Sequence, residues 1–134
     1  MIKEEYKYSD ITQRIIGCAM RVHSALGCGF PEIIYHRVMI IEMKDEGLNF
    51  ESEKEIPVFY KLQQIGKRRV DFLVENVVLV EIKAVSQMDD GNLAQGINYL
   101  EAFNLEIGLL INFGAKSLEF RRLINSKSKS IKSK

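Results

Sequence analysis

The stretch Arg69-Val-Asp-Phe-Leu-Val-Glu-Asn-Val-Val-Leu-Val-Glu-Ile-Lys-Ala84 sets two apolar, strand-like runs on either side of Glu75-Asn76 and places Asp71, Glu81 and Lys83 inside them. Ionised groups in such positions are costly unless something compensates them. Glu81 and Lys83 stand two apart, so on a strand they share a face. Where Asp71 lies depends on the turn. A two-residue loop at Glu75-Asn76 sets Asp71 opposite Val80 and turns Glu81 the other way. A three-residue loop at Glu75-Asn76-Val77, with Asn76 left-handed, sets Asp71 opposite Glu81. In that register the two Cβ atoms stand about 4.5–5.5 Å apart, and the carboxylates repel unless a proton or cation lies between them. Two acids beside a lysine are suited to a divalent metal and an activated water. The bland alternative is a pair of surface ion pairs, Glu81 with Lys83 and Asp71 with Arg69 or Arg68, which contribute little. The apolar flanks are unlike an ordinary edge position.

With 134 residues, 46% hydrophobic and 28% charged, the chain is expected to form one soluble globular domain over residues 1–125. The segment 126–134 carries four lysines and no acid, and its Lys/Ser composition predicts a disordered tail. Without those four, 15 basic residues face 18 acidic ones, about −3 overall, which argues against a uniformly basic protein that coats nucleic acid. A local basic patch beside an acidic site remains open. The two cysteines, Cys18 and Cys28, lack CxxC spacing, which argues against a disulfide scaffold or zinc site. The first residues are too polar for a signal peptide, and no apolar run is long enough to span a membrane, so a cytoplasmic location is expected.

Ile11, Ile15, Cys18, Val22 and Ala25 form a helical stripe over 11–26, with Asp10 and Gln13 spaced as a capping box and Gly27 as the stop. Pro31 suits the first position of a second helix ending at Gly47, the two forming a hairpin on a sheet. Period-two patterning predicts strands over 49–53, 55–61, 68–75, 77–85, 106–112 and 117–123, with a turn at Gln63–Lys67. Asp89 or Asp90 caps a helix running to Phe103, in which Gly91 and Gly96 weaken the helix or mark close packing. That helix is long enough to cross between parallel strands. The order α-α-β-β-β-α-β-β predicts a two- or three-layer α/β domain around a mixed sheet.

Glu32 and Tyr35 are three apart at the start of the second helix; an acid there also suits the helix dipole. Gln95 and Tyr99 are four apart on one helix face and are able to hydrogen-bond a phosphate or orient Lys83. His23 and His36 are expected in packing or surface roles.

Gly29, Glu32 and Tyr35, the Arg69-x-Asp71 strand, Glu81-Ile-Lys83, Ala94-Gln95-x-x-x-Tyr99-Leu100 and Leu109–Gly114 in this order resemble the GxxExxY family, a compact branch of the PD-(D/E)xK nuclease-like superfamily, over roughly Asp10–Ile124. The resemblance implies a restriction-endonuclease-like core with a central mixed β-sheet flanked by helices. It implies Mg²⁺ or Mn²⁺ held by Asp71, Glu81, the Ile82 carbonyl and Glu32, with Lys83 acting on the water and the phosphate, and Gln95 and Tyr99 in support. The expected activity is metal-dependent hydrolysis of DNA or RNA, with Lys61, Lys67, Arg68, Arg69 and the lysine tail available to phosphates. The alternatives are a non-catalytic nucleic-acid-binding or protein-interaction domain on the same scaffold, and hydrolysis of another phosphoester. Cys28 stands where that family often has proline, and Asn92 where it often has histidine.

Overall fold

Apolar residues at three- and four-residue spacing bury one side of α1 (Ser9–Leu26) and of α2 (Glu32–Asp45). The computed structural model describes residues 7–126, so positions 127–134 of the expected tail lie outside the described residues. The chain continues through β1 (Phe50–Tyr60), β2 (Gln63–Val74), β3 (Val78–Lys83), α3 (Asp90–Phe103), β4 (Ile107–Asn112) and β5 (Glu119–Ile124). The strands lie in the order β1-β2-β3-β4-β5. All neighbours are antiparallel except β3 and β4, whose parallel pairing is made possible by the α3 crossover.

The sheet is covered on both sides. Ile15, Cys18, Val22, Tyr35, Met39 and Met43 of α1 and α2 pack on Phe72, Val74, Val78, Val80 and Ile82. Tyr99 and Leu100 of α3 pack on Val70, Leu79, Leu110 and Leu123. Gly96 is the point of closest approach in that second layer: a Cβ there would meet Leu123 Cδ1 at 2.5 Å. The glycine marks close packing and not a weak helix. Asp89 caps α3 through a reciprocal pair with Asn92.

Several local expectations are corrected. α1 starts at Ser9 after a left-handed Tyr8, so Asp10 lies inside the first turn and forms no capping box with Gln13. Ala19, and not Ala25, completes its buried stripe. Pro31 is the N-cap of α2, one position before the helix. The predicted strands 49–53 and 55–61 are one strand, β1, and Gln63–Lys67 is strand, not turn. The turn lies earlier, at Lys61-Leu62, whose φ values of 48° and 66° suit a two-residue hairpin. Gln63–Lys67 is polar because this half of β2 is exposed on both faces.

Candidate active site

Asp71 and Glu81 meet where the sheet comes apart. The β2–β3 ladder pairs Val74 with Val78, Leu73 with Leu79 and Phe72 with Val80 across the loop Glu75-Asn76-Val77. Glu75 and Asn76 are both left-handed, at φ 52° and 60°. The next pair in this register is Asp71 and Glu81. There, side chains replace the backbone ladder: the Asp71 N–H donates to Glu81 Oε1 at 2.9 Å, and the Ile82 N–H donates to Asp71 Oδ2 at 2.8 Å. On the other flank the β1–β2 ladder pairs Ser52 with Phe72 and Lys54 with Val70, passing over Glu53, which has φ 54°. The strand is rotated at this point. Val70 and Phe72, which would share a face in a regular strand, pack into opposite layers.

His36 holds Asp71 from the α2 side. Its Nδ1 lies 2.8 Å from Asp71 Oδ1, its Nε2 lies 2.9 Å from Ser52 Oγ, and its ring stacks on Phe72 at 4.5 Å between centroids. Asp71 therefore pairs with a histidine and not with Arg68 or Arg69; Arg69 pairs with Glu53 and Glu55. His36, expected from sequence in a packing or surface role, is thus part of the site. Its one signal was the four-residue spacing from Glu32, which puts both on one face of α2. His23 is elsewhere, with Nε2 2.9 Å from the Ala115 carbonyl.

Glu32, His36, Asp71, Glu81, Lys83 and Tyr99 line one cleft of about 330 Å³. Lys83 is not paired with Glu81; its Nζ donates to Gln95 Oε1 at 3.2 Å, which ties the lysine to α3. Tyr35 lies under the rim, fully buried and stacked on Phe113 at 4.7 Å. Its hydroxyl donates to the Gly27 carbonyl and accepts from the Phe30 N–H, fixing the turn that delivers Glu32. Ile82 is buried, and its N–H faces Asp71, so on an extended strand its carbonyl lies on the same edge.

The electrostatics follow from burial and crowding. Glu81 is only 6% exposed; desolvation first, then the Asp71 charge, push its carboxyl up to about 8. Glu32 stands at the exposed rim, yet partial desolvation of its carboxyl, followed by Asp71, raises it above the usual range. Burial, with Glu81 second, raises the Tyr99 phenol. The cleft thus holds excess negative charge, which a proton on Glu81 or an added cation relieves.

The donor set, two carboxylates with a backbone carbonyl and a rim acid, fits a hard divalent cation. Among the described residues, however, no three His, Cys, Asp or Glu side chains are gathered as a ready-made metal cage. Asp71 and Glu81 instead cap the backbone donors that the opened sheet leaves free. No helix among the described residues is long and apolar enough to cross a membrane.

No curated protein matches the chain significantly. The fold is similar to that in the crystal structure of SSO0001, with a TM-score of 0.56 and 17% identity, over 96% of this chain and 67% of that one. At that identity the likeness speaks for the α/β fold alone. A sequence model of the PD-(D/E)XK nuclease superfamily matches residues 9–123, a span that takes in the opened β2–β3 edge and both helices facing it. By that sequence match, over most of its length, this chain belongs to the PD-(D/E)XK nuclease superfamily.

Proposed function

We propose that the chain is a GxxExxY-type nuclease that hydrolyses phosphodiester bonds of DNA or RNA. The observation that carries this reading is the meeting of Asp71, Glu81 and Lys83 in one cleft of a superfamily member, with Lys83 tethered to Gln95. Asp71, Glu81 and the Ile82 carbonyl would hold Mg²⁺ or Mn²⁺, with Glu32 closing the site from the rim. A bound divalent ion polarises phosphate oxygens and lowers the pKa of water. Lys83 positions the attacking water and stabilises negative charge developing on the phosphate. His36 keeps Asp71 turned into the cleft, and Tyr99 presents a hydroxyl to the substrate. Glu81 would hold the cation as its carboxylate, so binding of the metal and of a proton there would compete.

The second reading is a non-catalytic nucleic-acid-binding or protein-interaction domain. It draws on the carboxylates being occupied by backbone amides and not gathered as a cage.

The test is to incubate pure protein with single-stranded DNA, duplex DNA and RNA, with Mg²⁺ or Mn²⁺, beside Asp71→Ala and Lys83→Ala variants. Cleavage by the parent and loss in both variants is expected. Cleavage that survives both substitutions sinks this site; neither cleavage nor thermal stabilisation by metal favours the binding domain.

A further inference from the structure

Outward from Asp71 the β1–β2 hairpin leaves the body of the sheet. Its tip at Lys61-Leu62 is about 30 Å along the strand from Asp71. From Ile56 to Val70 the chain has no acidic residue and carries Lys61, Lys67, Arg68 and Arg69, whereas the rest of the described chain has an acidic excess. Towards the tip the large apolar side chains lie in solvent. Phe59, Tyr60 and Ile65 are 59%, 62% and 67% exposed, and Leu62 is 96% exposed in a left-handed conformation unfavourable to leucine. They belong to neither core layer, and Lys61 Nζ stands 5.6 Å from the Tyr60 ring centroid.

Three clefts beside this hairpin share lining residues. The Asp71–Glu81 cleft shares Tyr99 with a second, of about 480 Å³, between Arg68 of the hairpin and Gln95, Asn98 and Glu101 of α3. The second shares Val58 and Arg68 with a third, beside Gly66 and Lys67. Gly66 leaves open space where a side chain would stand. Arg68 has no acidic partner among the described residues.

We propose that the hairpin holds a single-stranded nucleic acid, its bases stacked on Phe59 and Tyr60 near the exposed tip and its phosphates led by Lys67 and Arg68 along the groove towards the Asp71–Glu81 cleft. Glu53 and Glu55 of β1 pair with Arg69, and Glu55 also lies 3.8 Å from Lys67, which leaves Arg68 and Lys61 as the cations most available to a polyanion. Exposed aromatics interleaved with cations match unpaired bases, whose faces a duplex keeps stacked. A second copy of the chain adding to the β1 edge is disfavoured by Pro57, which has no N–H to offer there.

The proposal rests on the nuclease reading for its direction of travel but is tested apart from it, by binding in EDTA. Labelled single-stranded DNA, single-stranded RNA and duplex DNA are titrated against the full chain by fluorescence anisotropy. Single strands are expected to bind at least about tenfold tighter than duplex, and a Phe59→Ser/Tyr60→Ser variant to lose about tenfold. A Lys67→Gln/Arg68→Gln variant should flatten the slope of log K against log salt by about 0.7 per lost phosphate contact. Ultraviolet cross-linking of the unsubstituted protein should map to residues 56–69, which removes dependence on how the variants fold. Equal or tighter duplex binding, variants that bind like the parent, cross-links confined elsewhere, or self-association abolished by the same variants would each overturn the proposal. Absent cleavage with intact single-strand binding would instead remove only the nuclease reading.

Discussion

The two halves of β2 depart from folding rules in opposite directions. Its inner half, Val70–Val74, is packed between layers yet carries Asp71 against a nearly buried Glu81. Its outer half, Gln63–Arg69, is solvated on both faces, yet with β1 it holds Leu62, Ile65, Phe59 and Tyr60 in water. Charge stands where apolar residues belong, and apolar residues stand where charge belongs. The change-over falls at Arg69 and Val70, which both line the cleft. Departures from local consistency concentrate at functional sites, and these two differ in how they register. The inner one is a buried charge, so it is felt in stability and in pH dependence. The outer one touches little, so the fold barely feels it.

The largest expected effect separates the halves by kinetics. Lys83→Ala should lower kcat for cleavage about 10²–10³-fold, the scale for losing one donor to developing charge. Lys67→Gln should leave kcat close to the parent's and raise KM. A comparable fall in kcat from Lys67→Gln would break the division of labour.

Next comes the inner half without metal. Burial and Asp71 raise Glu81 from its ordinary 4.5 to about 8, so the folded chain holds this proton more tightly than the unfolded chain does. The resulting stability is whole below about pH 4.5, declines as pH rises, and is lost above about 8. In EDTA the Glu81→Gln variant should therefore be more stable than the parent by on the order of a few kcal/mol at pH 9, with the gap closing by pH 4. Urea denaturation across that range checks it. A pH-independent gap would mean that shape, and not charge, governs this edge.

The inner half was largely legible in sequence. Asn76 tolerates the left-handed conformation, so a three-residue loop was available, and that loop alone sets Asp71 against Glu81. Gln95 was readable as a partner of Lys83 because a helix places its residues at known angles. His36 was not readable. Its partners Asp71 and Ser52 come from two strands, and only the rotation of β2 at Asp71 brings that carboxylate within reach. The hairpin was missed for a different reason: a strand solvated on both faces shows no period-two contrast, so Gln63–Lys67 looked like a turn. Gly29 has no packing reason to be a glycine, since a Cβ there would meet open space.

His36 gives the third comparison. His36→Ala removes the ring stacked on Phe72 and leaves Asp71 Oδ1 and Ser52 Oγ without their partner. A loss of about 1–3 kcal/mol in urea is expected, the cost of unmaking two partly buried hydrogen bonds and a ring stack. Ser52→Ala, which removes one bond and spares the ring, should cost about 1 kcal/mol. A loss from Ser52→Ala as large as that from His36→Ala would show that the Nε2 contact, and not the hold on Asp71, supports this edge.

The smallest effect belongs to the tip. Leu62 sits at φ 66° with almost its whole side chain in water, so glycine there relieves backbone strain and removes little packing. Leu62→Gly should raise stability by about 0.5–1 kcal/mol. The sign carries the argument, because a gain would show that the exposed leucine adds nothing to the free protein's stability and is open to contacts the free protein does not make. If Leu62→Gly instead destabilises the chain, the tip is part of the folded core's support, and the contrast between the two halves of β2 loses its outer member.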